Sequence, residues 1–514
     1  MRVAILDCRA QEGVRAPPVT IEVLLSGGLP TFSIVGLAET AVRESKDRVR
    51  GAILSSGFQV PQQRITVNLG PADMRKSGGR FDLPIALGIL KASSQLPGNR
   101  IPGWEFYGEL ALNGDLRPVP GTLPAAIRAA EAGRPVLVPQ ENGFEAALAK
   151  GTVYTATTLL DAIAILSGSK APAPVVPDDT VESATYPDLA DVRGQAFAKR
   201  ALEIAAAGGH NILFIGPPGT GKSMLAERLP GLLPPLSDRE ALEAAAVESV
   251  LGRRFDPATW RRRPFRAPHH TASAPALVGG GSEPRPGEIS RAHRGVLFLD
   301  ELPEFRRNVL EVLREPLESG RITISRAARQ ADFPAAFQLV AAMNPCPCGY
   351  LGDPQGECGC SADAVRRYRA RISGPLLDRI DIHIDVQRPP VELLRPDAPQ
   401  GEHSAAVAAR VAAARQRQVR KEGCVNAALA TTSLESRFDA EPAAWTLLET
   451  AVERRAMSAR AYQRTQRVAL TIMDLEDKTT GRREHVAEAL GRRQLDRAQP
   501  DVARPTAAMN AALS

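Results

Sequence analysis

The sequence predicts an α/β protein organised around a phosphate-binding loop. The apolar run Ile212–Ile215 predicts a buried strand, and the segment Gly216–Ser223, GPPGTGKS, follows it with the spacing G-x-x-x-x-G-K-S. A helical pattern comes next, and a strand before and a helix after this spacing are typical of phosphate-binding loops. A second apolar run, Val296–Leu299, ends in Asp300 and Glu301. Carboxylates at the end of a central strand lie where α/β sheets bind ligands. Together the two motifs predict a nucleoside triphosphatase.

The phosphate-binding loop predicts ATP and Mg²⁺ as cofactors. Its backbone N–H groups can turn toward the phosphates, and the N-terminus of the next helix adds positive potential. We expect Lys222 to reach the β- and γ-phosphates, and Ser223 and Asp300 to hold Mg²⁺. We expect Glu301 to polarise the attacking water and Asn344, after the predicted strand 337–343, to orient it. The alternative, a Gly/Pro-rich structural turn, is disfavoured by the acidic pair. The expected nucleotide-binding residues are Gly216, Pro217, Pro218, Gly219, Thr220, Gly221, Lys222, Ser223 and Asp300.

Length and composition predict about three domains and a chain outside the membrane. The chain has 514 residues, and domains usually have ~100–200 residues. Its 64 Lys and Arg residues against 58 Asp and Glu residues give a net charge of +6, which permits an anionic partner without identifying one. No apolar run approaches the ~18–20 residues of a membrane span. The N-terminal sequence lacks the features of a secretory signal, so we expect a cytoplasmic location.

Residues 1–168 alternate short strand patterns with helical ones, which predicts an α+β domain. Strands are predicted at 20–25 and 64–69, an amphipathic helix at 39–55, and a hairpin arm at 106–112. Within them the segment Gly108–Gly121, GELALNGDLRPVPG, resembles the peptidase domain of Lon proteases. The resemblance implies a fold like domain 2 of ribosomal protein S5. It also places Asp82 and Leu123 where those peptidases have their catalytic serine and lysine. A carboxylate and an isobutyl group cannot form a nucleophile–base pair, so we expect this domain to be proteolytically inactive.

The remaining sequence divides at changes in composition. Residues 169–187 are rich in Pro, Ser and charged residues, which predicts a linker. Residues 188–390 form the predicted ATPase core, and 391–499 a C-terminal helical lid. We expect residues 500–514 to be a disordered tail. In the lid, Arg460 near a predicted helix start is a candidate γ-phosphate contact, and Arg464 is the alternative.

Four cysteines and two histidines are candidate metal ligands. Cys346 and Cys348 are separated by nine residues from Cys358 and Cys360. Two close pairs of thiolates suit a tetrahedral Zn²⁺ ion, and free buried thiols are the alternative. The adjacent pair 269–270, both His, lies in a Pro- and Gly-rich insertion between the nucleotide motifs. We favour hydrogen-bonded loop residues over metal ligands for this pair.

Three further arginines are candidates for action in a ring of subunits. Arg379 follows a short predicted helix and precedes a strand, as do arginines that ring ATPases present to the neighbouring γ-phosphate. A salt bridge to Asp381 or Asp385 is the alternative. Arg326 and Arg329 lie in a predicted hairpin, where they would contact DNA phosphates in the pore of a six-subunit ring. A solvated surface hairpin is the alternative.

Several long segments carry a resemblance to one family. They are PFRAPHHTAS, LVGGG, PRPGEIS, GVLFLDEL, AAMNPCPCGY and SGPLLDRIDIHI. These segments resemble the YifB/ComM family of magnesium-chelatase-like AAA+ proteins. The resemblance implies a homo-hexameric DNA helicase that acts on single-stranded and branched DNA and promotes branch migration in recombination during natural transformation. The alternative is a chelatase-type or remodelling ATPase that acts on a protein partner. A Lon-type protease is disfavoured by the missing dyad.

Overall fold

Three large apolar clusters organise the described part of the chain. The computed structural model describes residues 2–96, 101–176, 185–281, 284–326, 329–354, 356–395, 397, 399–455, 457–493 and 495. One cluster spans residues 4–166, and the other two lie within residues 189–490. The predicted tail, 500–514, lies outside the described residues.

The N-terminal region contains a seven-stranded mixed sheet of order β3-β4-β2-β1-β5-β8-β9 and a separate β6–β7 hairpin. Its strands are β1 (Arg2–Arg9), β2 (Pro18–Ser26), β3 (Thr31–Val35), β4 (Arg64–Gly70), β5 (Glu105–Phe106), β6 (Glu109–Leu110), β7 (Leu116–Arg117), β8 (Val136–Pro139) and β9 (Val153–Ala156). Its helices are α1 (Thr40–Arg43), α2 (Ser45–Ser55), α3 (Asp82–Ala92), α4 (Thr122–Glu131), α5 (Gly143–Ala147) and α6 (Leu159–Ser167).

The sheet forms because its strands alternate apolar and polar residues. Strand β2 buries every second residue, including Ile21 and Val23, as expected when one face of a strand covers a core. Helix α3 packs on that face. A Cβ atom on Gly88 would lie 2.6 Å from Val23 Cγ2, so only glycine permits this close approach.

Asp82 and Leu123 lie at the positions compared with the catalytic serine and lysine of Lon peptidases, and each contacts different residues. Asp82 is fully buried, and its carboxylate accepts hydrogen bonds from Arg48 Nε at 2.6 Å and from the Leu110 backbone N–H at 3.2 Å. Burial raises the pKa of Asp82 to about 6, and Arg48 opposes that shift. Leu123 is also fully buried and packs with Leu148 and Ala245. Asp82 thus forms a salt bridge with Arg48, and Leu123 forms apolar contacts.

The predicted ATPase core, residues 188–390, contains a five-stranded parallel sheet of order β11-β14-β17-β10-β18. The strands of the core are β10 (Ile212–Ile215), β11 (Phe265–Arg266), β12 (Gly279–Gly280), β13 (Arg285–Pro286), β14 (Val296–Leu299), β15 (Arg321–Arg326), β16 (Arg329–Pro334), β17 (Gln338–Met343) and β18 (Ile382–Asp385). Its helices are α7 (Ala196–Gly208), α8 (Lys222–Leu232), α9 (Asp238–Ser249), α10 (Ala274–Val278), α11 (Glu288–Arg291), α12 (Arg307–Glu311), α13 (Arg314–Ser319), α14 (Ala362–Arg369) and α15 (Gly374–Leu377). Strands β10, β14 and β17 are buried along their whole length, as in parallel sheets covered on both faces.

Two separate hairpins accompany this sheet, β12–β13 and β15–β16. Arg326 pairs with Arg329 at the end of the second hairpin. Residues 327–328 and the side chains of Arg326 and Arg329 lie outside the described part of the structure. The predicted DNA contact of these two arginines therefore stays a prediction.

The C-terminal region is helical. Its helices are α16 (Val391–Leu394), α17 (Ser404–Glu422), α18 (Thr431–Arg437), α19 (Pro442–Arg455), α20 (Ala459–Leu475) and α21 (Arg483–Gly491). Helix α17 buries Val407, Val411 and Ala414 in the same apolar cluster as α7 and β10. This shared cluster attaches the helices to one face of the parallel sheet. None of the helices described is long and apolar enough to cross a membrane.

The N-terminal region contacts the core through the end of α9. The backbone N–H of Gly121 donates to Ser249 O at 2.8 Å, and the N–H of Leu123 donates to Ser249 Oγ at 3.2 Å. Gln11 Nε2 donates to Val250 O at 3.2 Å. A small apolar cluster around Leu123 and Ala245 covers this junction.

Candidate nucleotide-binding site

The carboxyl ends of three neighbouring strands bring the expected nucleotide-binding residues together. Strand β10 leads into the phosphate-binding loop, β14 ends before Asp300 and Glu301, and β17 ends before Asn344. Because β14, β17 and β10 are adjacent and parallel, these segments meet at one edge of the sheet. This is the edge at which open α/β sheets bind ligands.

The phosphate-binding loop takes its shape from glycines. Gly219 and Gly221 have φ values of 77° and 88°, a left-handed conformation that glycine adopts without strain. A Cβ atom on Gly216 would lie 2.1 Å from Val386 O, so the loop begins where only glycine fits. Helix α8 begins directly after Gly221, and its first N–H groups are available to phosphate oxygens.

Lys222 points back into this loop. Its Nζ donates to Gly216 O at 2.7 Å, to Pro217 O at 2.8 Å and to Asn344 Oδ1 at 3.2 Å. Burial lowers the pKa of Lys222 to about 8, although Asp300 and Glu301 favour its charged form. The contact with Asn344 joins the ends of β10 and β17 directly.

Ser223 and Asp300 fit a bound Mg²⁺ ion. Ser223 Oγ donates to Asp300 Oδ2 at 2.8 Å, so a hydroxyl from the start of α8 and a carboxylate oxygen from the end of β14 converge. Mg²⁺ prefers such oxygen ligands and usually keeps several waters. The donor set therefore suits magnesium with a nucleotide triphosphate.

Glu301 has an unusual backbone conformation and one side-chain partner that the sequence did not reveal. Its φ is 53°, which is uncommon for a residue other than glycine. Its carboxylate Oε2 lies 2.8 Å from His270 Nδ1. His269 instead contacts Thr271 Oγ1, at 2.8 Å. From the sequence we expected His269 and His270 to be hydrogen-bonded loop residues. The only sign in the sequence that they lie near the nucleotide site was their position between the two nucleotide motifs.

The four clustered cysteines have a geometry that fits Zn²⁺. The Sγ atoms of Cys346, Cys348, Cys358 and Cys360 all lie within 4.8 Å of one another. The distances from Cys346 to Cys348 and Cys358 are 3.3 and 3.7 Å. Thiolates about 2.3 Å from zinc form a tetrahedron with edges of about 3.8 Å. Hydrogen bonds from the Tyr350 backbone and from Cys346 lower the pKa of Cys348 to about 6, whereas burial and hydrogen bonds with the other thiols raise the pKa of Cys358 and Cys360.

The cysteine loop packs against the phosphate-binding loop. Gly349 has a φ of 88°, and a Cβ atom there would lie 2.9 Å from Pro218 Cδ. The loop also begins just after Asn344, which contacts Lys222. A metal that orders the cysteine loop would therefore also restrain the phosphate-binding loop.

The two arginines predicted to act on a γ-phosphate meet at Glu318. Arg379 forms a salt bridge with Glu318 and donates from Nη1 to Pro375 O at 2.6 Å. Arg460 Nη2 lies 3.8 Å from Glu318 Oε1. The Arg379 side chain is 6% exposed and that of Arg460 is 61% exposed. The alternative from the sequence was a salt bridge of Arg379 with Asp381 or Asp385. The salt bridge is instead with Glu318, and Asp381 pairs with Arg464.

These arginines lie at the opposite edge of the sheet from the phosphate-binding loop. Glu318 lines a cavity of about 1330 Å³ together with residues that directly precede four of the core strands. Those residues are Asn211 before β10, Gly295 before β14, Phe337 before β17 and Asp381 before β18. The cavity therefore marks the amino ends of the strands.

Comparison with known proteins identifies the family. The sequence matches the family described as magnesium chelatase, subunit ChlI, over residues 188–394. It also matches the families described as subunit ChlI of Mg-chelatase over 21–142 and magnesium chelatase, subunit ChlI C-terminal, over 401–493. The competence protein ComM of Haemophilus influenzae is 49% identical over 504 residues, which are 97% of this chain and 98% of that protein. The chain belongs to the YifB/ComM family of magnesium-chelatase-like proteins.

Two other relatives resemble this YifB/ComM family member to different degrees. The uncharacterized protein YifB of Escherichia coli (strain K12) is 48% identical over 500 residues, which are 97% of this chain and 98% of that protein. The magnesium-chelatase 38 kDa subunit of Cereibacter sphaeroides is 27% identical over 240 residues, which are 41% of this chain and 64% of that protein. Membership of a magnesium-chelatase-like AAA+ family supports ATP and Mg²⁺ as cofactors. The match over 188–394 includes the nucleotide motifs and the four cysteines, whereas Arg460 falls in the match over 401–493.

Proposed function

We propose that this YifB/ComM family member hydrolyses ATP at the shared edge of β10, β14 and β17. The observation that carries the proposal is the contact of Lys222 with Asn344 and of Ser223 with Asp300. Mg²⁺ held by Ser223 and Asp300 would neutralise charge on the phosphate oxygens. Lys222 binds the β- and γ-phosphates, Glu301 accepts a proton from the attacking water and Asn344 orients that water.

The positions of Arg379 and Arg460 support a ring of subunits. Both side chains contact Glu318, at the opposite edge of the sheet from the phosphate-binding loop of the same chain. In the proposed homo-hexamer that edge faces the nucleotide of the neighbouring subunit. The arginines there stabilise the charge that develops on the transferred phosphoryl group. The C-terminal helices act as the lid of each ATPase core, and the N-terminal region is a Lon-like domain without peptidase activity.

We further propose that the ring is a DNA motor that promotes branch migration of recombination intermediates during natural transformation. The 49% identity to a protein named competence protein ComM supports a role connected with competence. The net charge of +6 is compatible with a polyanionic partner. Single-stranded and branched DNA are the proposed substrates, and the β15–β16 hairpin with Arg326 and Arg329 is the proposed contact.

The DNA motor is tested by ATP turnover and by unwinding of branched DNA. Single-stranded DNA should increase ATP turnover, and ATP should drive strand exchange in a four-way junction. Replacing Arg326 and Arg329 together with Ala should leave DNA-free turnover unchanged and abolish both effects. Each neutralised phosphate contributes a salt slope of about −0.7 for single strands, so the double variant should also show a weaker dependence of binding on salt. Turnover insensitive to every DNA form would contradict the motor.

A remodelling ATPase that acts on a protein partner is the second candidate. The similarity to a magnesium-chelatase 38 kDa subunit over 240 residues favours it. This function predicts ATP turnover that responds to a protein partner and not to DNA. The same turnover measurements, repeated with and without DNA, therefore separate the two candidates.

We also propose that the four-cysteine cluster binds one Zn²⁺ ion per chain. The support is the mutual proximity of four thiol sulfurs at distances suited to tetrahedral coordination. The proposed role is structural, because four protein ligands would leave no open coordination position for a substrate.

A further inference from the structure

A cavity of about 550 Å³ lies beside α9 and β11, apart from the nucleotide-binding site. Its wall includes Glu227 of α8, several residues of α9 and most of the segment 253–266, RRFDPATWRRRPFR. Among the described residues that line it, none belongs to the proposed ATP site. Small-molecule sites usually have volumes of about 300–1,000 Å³. This space, which we call the arginine cavity, is therefore large enough for a separate small ligand.

The arginine cavity carries positive charge that no described carboxylate neutralises. The segment 253–266 contains six arginines and one acidic residue, whereas the whole chain has a net charge of only +6. Arg261 and Arg266 each form a salt bridge, at 2.6 Å, with a carboxylate that does not line the cavity. Within the described part of the chain the other four form no salt bridge; they are Arg253, Arg254, Arg262 and Arg263.

The acidic residues in the wall of the cavity already have partners. Glu248 forms a salt bridge with Arg291 at 2.7 Å. Asp256 accepts a hydrogen bond from the Ala258 backbone N–H at 3.1 Å, and Glu227 pairs with an arginine outside the wall at 3.5 Å. Because these carboxylates are engaged and four arginines are not, the cavity favours an anionic ligand.

Aromatic side chains complete the wall of the cavity. They are Tyr186, Phe255, Trp260 and Phe265. Phe255 stacks on Phe144 of α5, with ring centroids 5.7 Å apart, and Trp260 packs against the apolar cluster at the junction with the N-terminal region. Aromatic rings bind nucleobases by stacking, and arginines beside them bind phosphates. The combination indicates a ligand that has both a base and a phosphate.

We propose that the arginine cavity binds a nucleoside phosphate at a site separate from the ATP site. The base packs against Trp260, and the phosphates accept hydrogen bonds from Arg253 and Arg254, which are exposed. Planar guanidinium groups suit phosphate oxygens because they can donate two parallel hydrogen bonds. Ser249 lines the same cavity and accepts hydrogen bonds from the N-terminal region. The ligand therefore binds where that region meets the core.

The test is equilibrium binding of radiolabelled ADP, GDP, CDP and UDP to the full chain carrying Lys222→Ala, whose ATP site is impaired. This variant should still bind at least one of these nucleotides. Adding Arg253→Ala and Arg254→Ala should lower that affinity by about tenfold or more, because hydrogen bonds from charged groups are lost. Adding Arg366→Ala and Arg367→Ala instead is the matched control. These neighbouring exposed arginines lie in α14, outside the cavity, and their removal should leave the affinity unchanged.

Two results of this experiment would overturn the inference. One is that Lys222→Ala binds none of the nucleotides. The other is residual binding that does not respond to replacement of Arg253 and Arg254, because such binding would belong to the phosphate-binding loop.

Pyrophosphate and a single-stranded oligodeoxynucleotide test the class of ligand. Pyrophosphate should bind about tenfold more weakly than the preferred nucleotide, because it has no base to stack, and Trp260→Leu should remove this difference. Equal affinity for pyrophosphate with Trp260 present would overturn the assignment of a nucleoside phosphate. Binding of the oligodeoxynucleotide that depends on Arg253 and Arg254, with no binding of free nucleotides, would overturn it in favour of a DNA strand.

The inference goes beyond the proposed function, and the two can fail separately. If wild-type ATP turnover is no faster than that of Lys222→Ala, the ATPase proposal is wrong, and nucleotide binding that depends on Arg253 and Arg254 still supports this inference. If nucleotides bind only when Lys222 is intact, the inference is wrong and the ATPase proposal stands.

Discussion

At the residue scale, substitutions of Lys222 and Glu301 should separate binding from turnover. Lys222→Ala removes the main cation for the phosphates, so we expect weaker ATP binding. Glu301→Gln removes only the proton acceptor, so it should keep ATP affinity and lose about 10²- to 10⁴-fold in kcat, as general bases do. ATP affinity and turnover of the purified variants measure the two effects.

The matched control for that prediction is Glu304→Gln. Glu304 lies close to Glu301 in sequence but forms a salt bridge with Arg371 at 2.8 Å. It should retain wild-type turnover. Wild-type turnover in Glu301→Gln would contradict the assignment of the general base.

Also at the residue scale, the lowered pKa of Lys222 predicts a pH dependence of ATP binding. Burial lowers this pKa to about 8, so an increasing fraction of free protein carries a neutral Lys222 as the pH rises through that value. ATP favours the charged form, so its dissociation constant should increase, approaching tenfold per pH unit above about pH 8. Titrations between about pH 7 and 9 measure it, and Lys222→Ala should lack this dependence. A constant affinity in the wild type would contradict the prediction.

At the scale of the element, the cysteine loop should depend on zinc. Protein purified without chelator should contain about one Zn²⁺ per chain, as four-thiolate sites do. Cys346→Ser should lose the metal and weaken ATP binding, because the loop packs against Pro218 of the phosphate-binding loop. Elemental analysis and ATP titration measure these effects. Cys424→Ser, outside the cluster, is the control, and a stably folded wild type free of metal would exclude the site.

Most of the predicted strands and helices are present in the structure. Where an observed element differs from the predicted one, the cause can be identified. The predicted strands at 20–25, 64–69 and 212–215 are present as β2, β4 and β10. The amphipathic segment 39–55 was predicted as one helix and is divided into α1 and α2 around Glu44. The predicted hairpin arm 106–112 is interrupted at Gly108, whose carbonyl accepts a hydrogen bond from the Leu83 backbone N–H. Such interruptions depend on contacts distant in sequence, which periodicity does not reveal.

At the scale of the whole molecule, Arg379 should act on a neighbouring subunit. Arg379→Ala should bind ATP and lose hydrolysis by up to ~10³–10⁵-fold, as arginine fingers do. Mixing it with Lys222→Ala subunits should restore some turnover, because a hybrid interface then combines an intact arginine with an intact phosphate-binding loop. The measurement is ATP turnover of the mixture, compared with the turnover of each variant alone.

The control for the subunit-mixing experiment is Arg371→Ala. Arg371 is a half-exposed arginine whose partner is Glu304, and its removal should leave turnover unchanged. Normal hydrolysis by Arg379→Ala alone would place the arginine finger elsewhere.

The sequence by itself determined the motifs whose chemistry depends on short spacings. The phosphate-binding loop, the acidic pair after β14 and the two cysteine pairs each occupy a short stretch, so residue order alone specifies the donor groups. Only the tertiary structure decided which distant groups meet. His270 contacts Glu301, Glu318 contacts both Arg379 and Arg460, and Leu123 packs at the junction with α9. Those contacts depend on the order of the parallel strands and on how the insertion packs, because these bring together residues far apart along the chain.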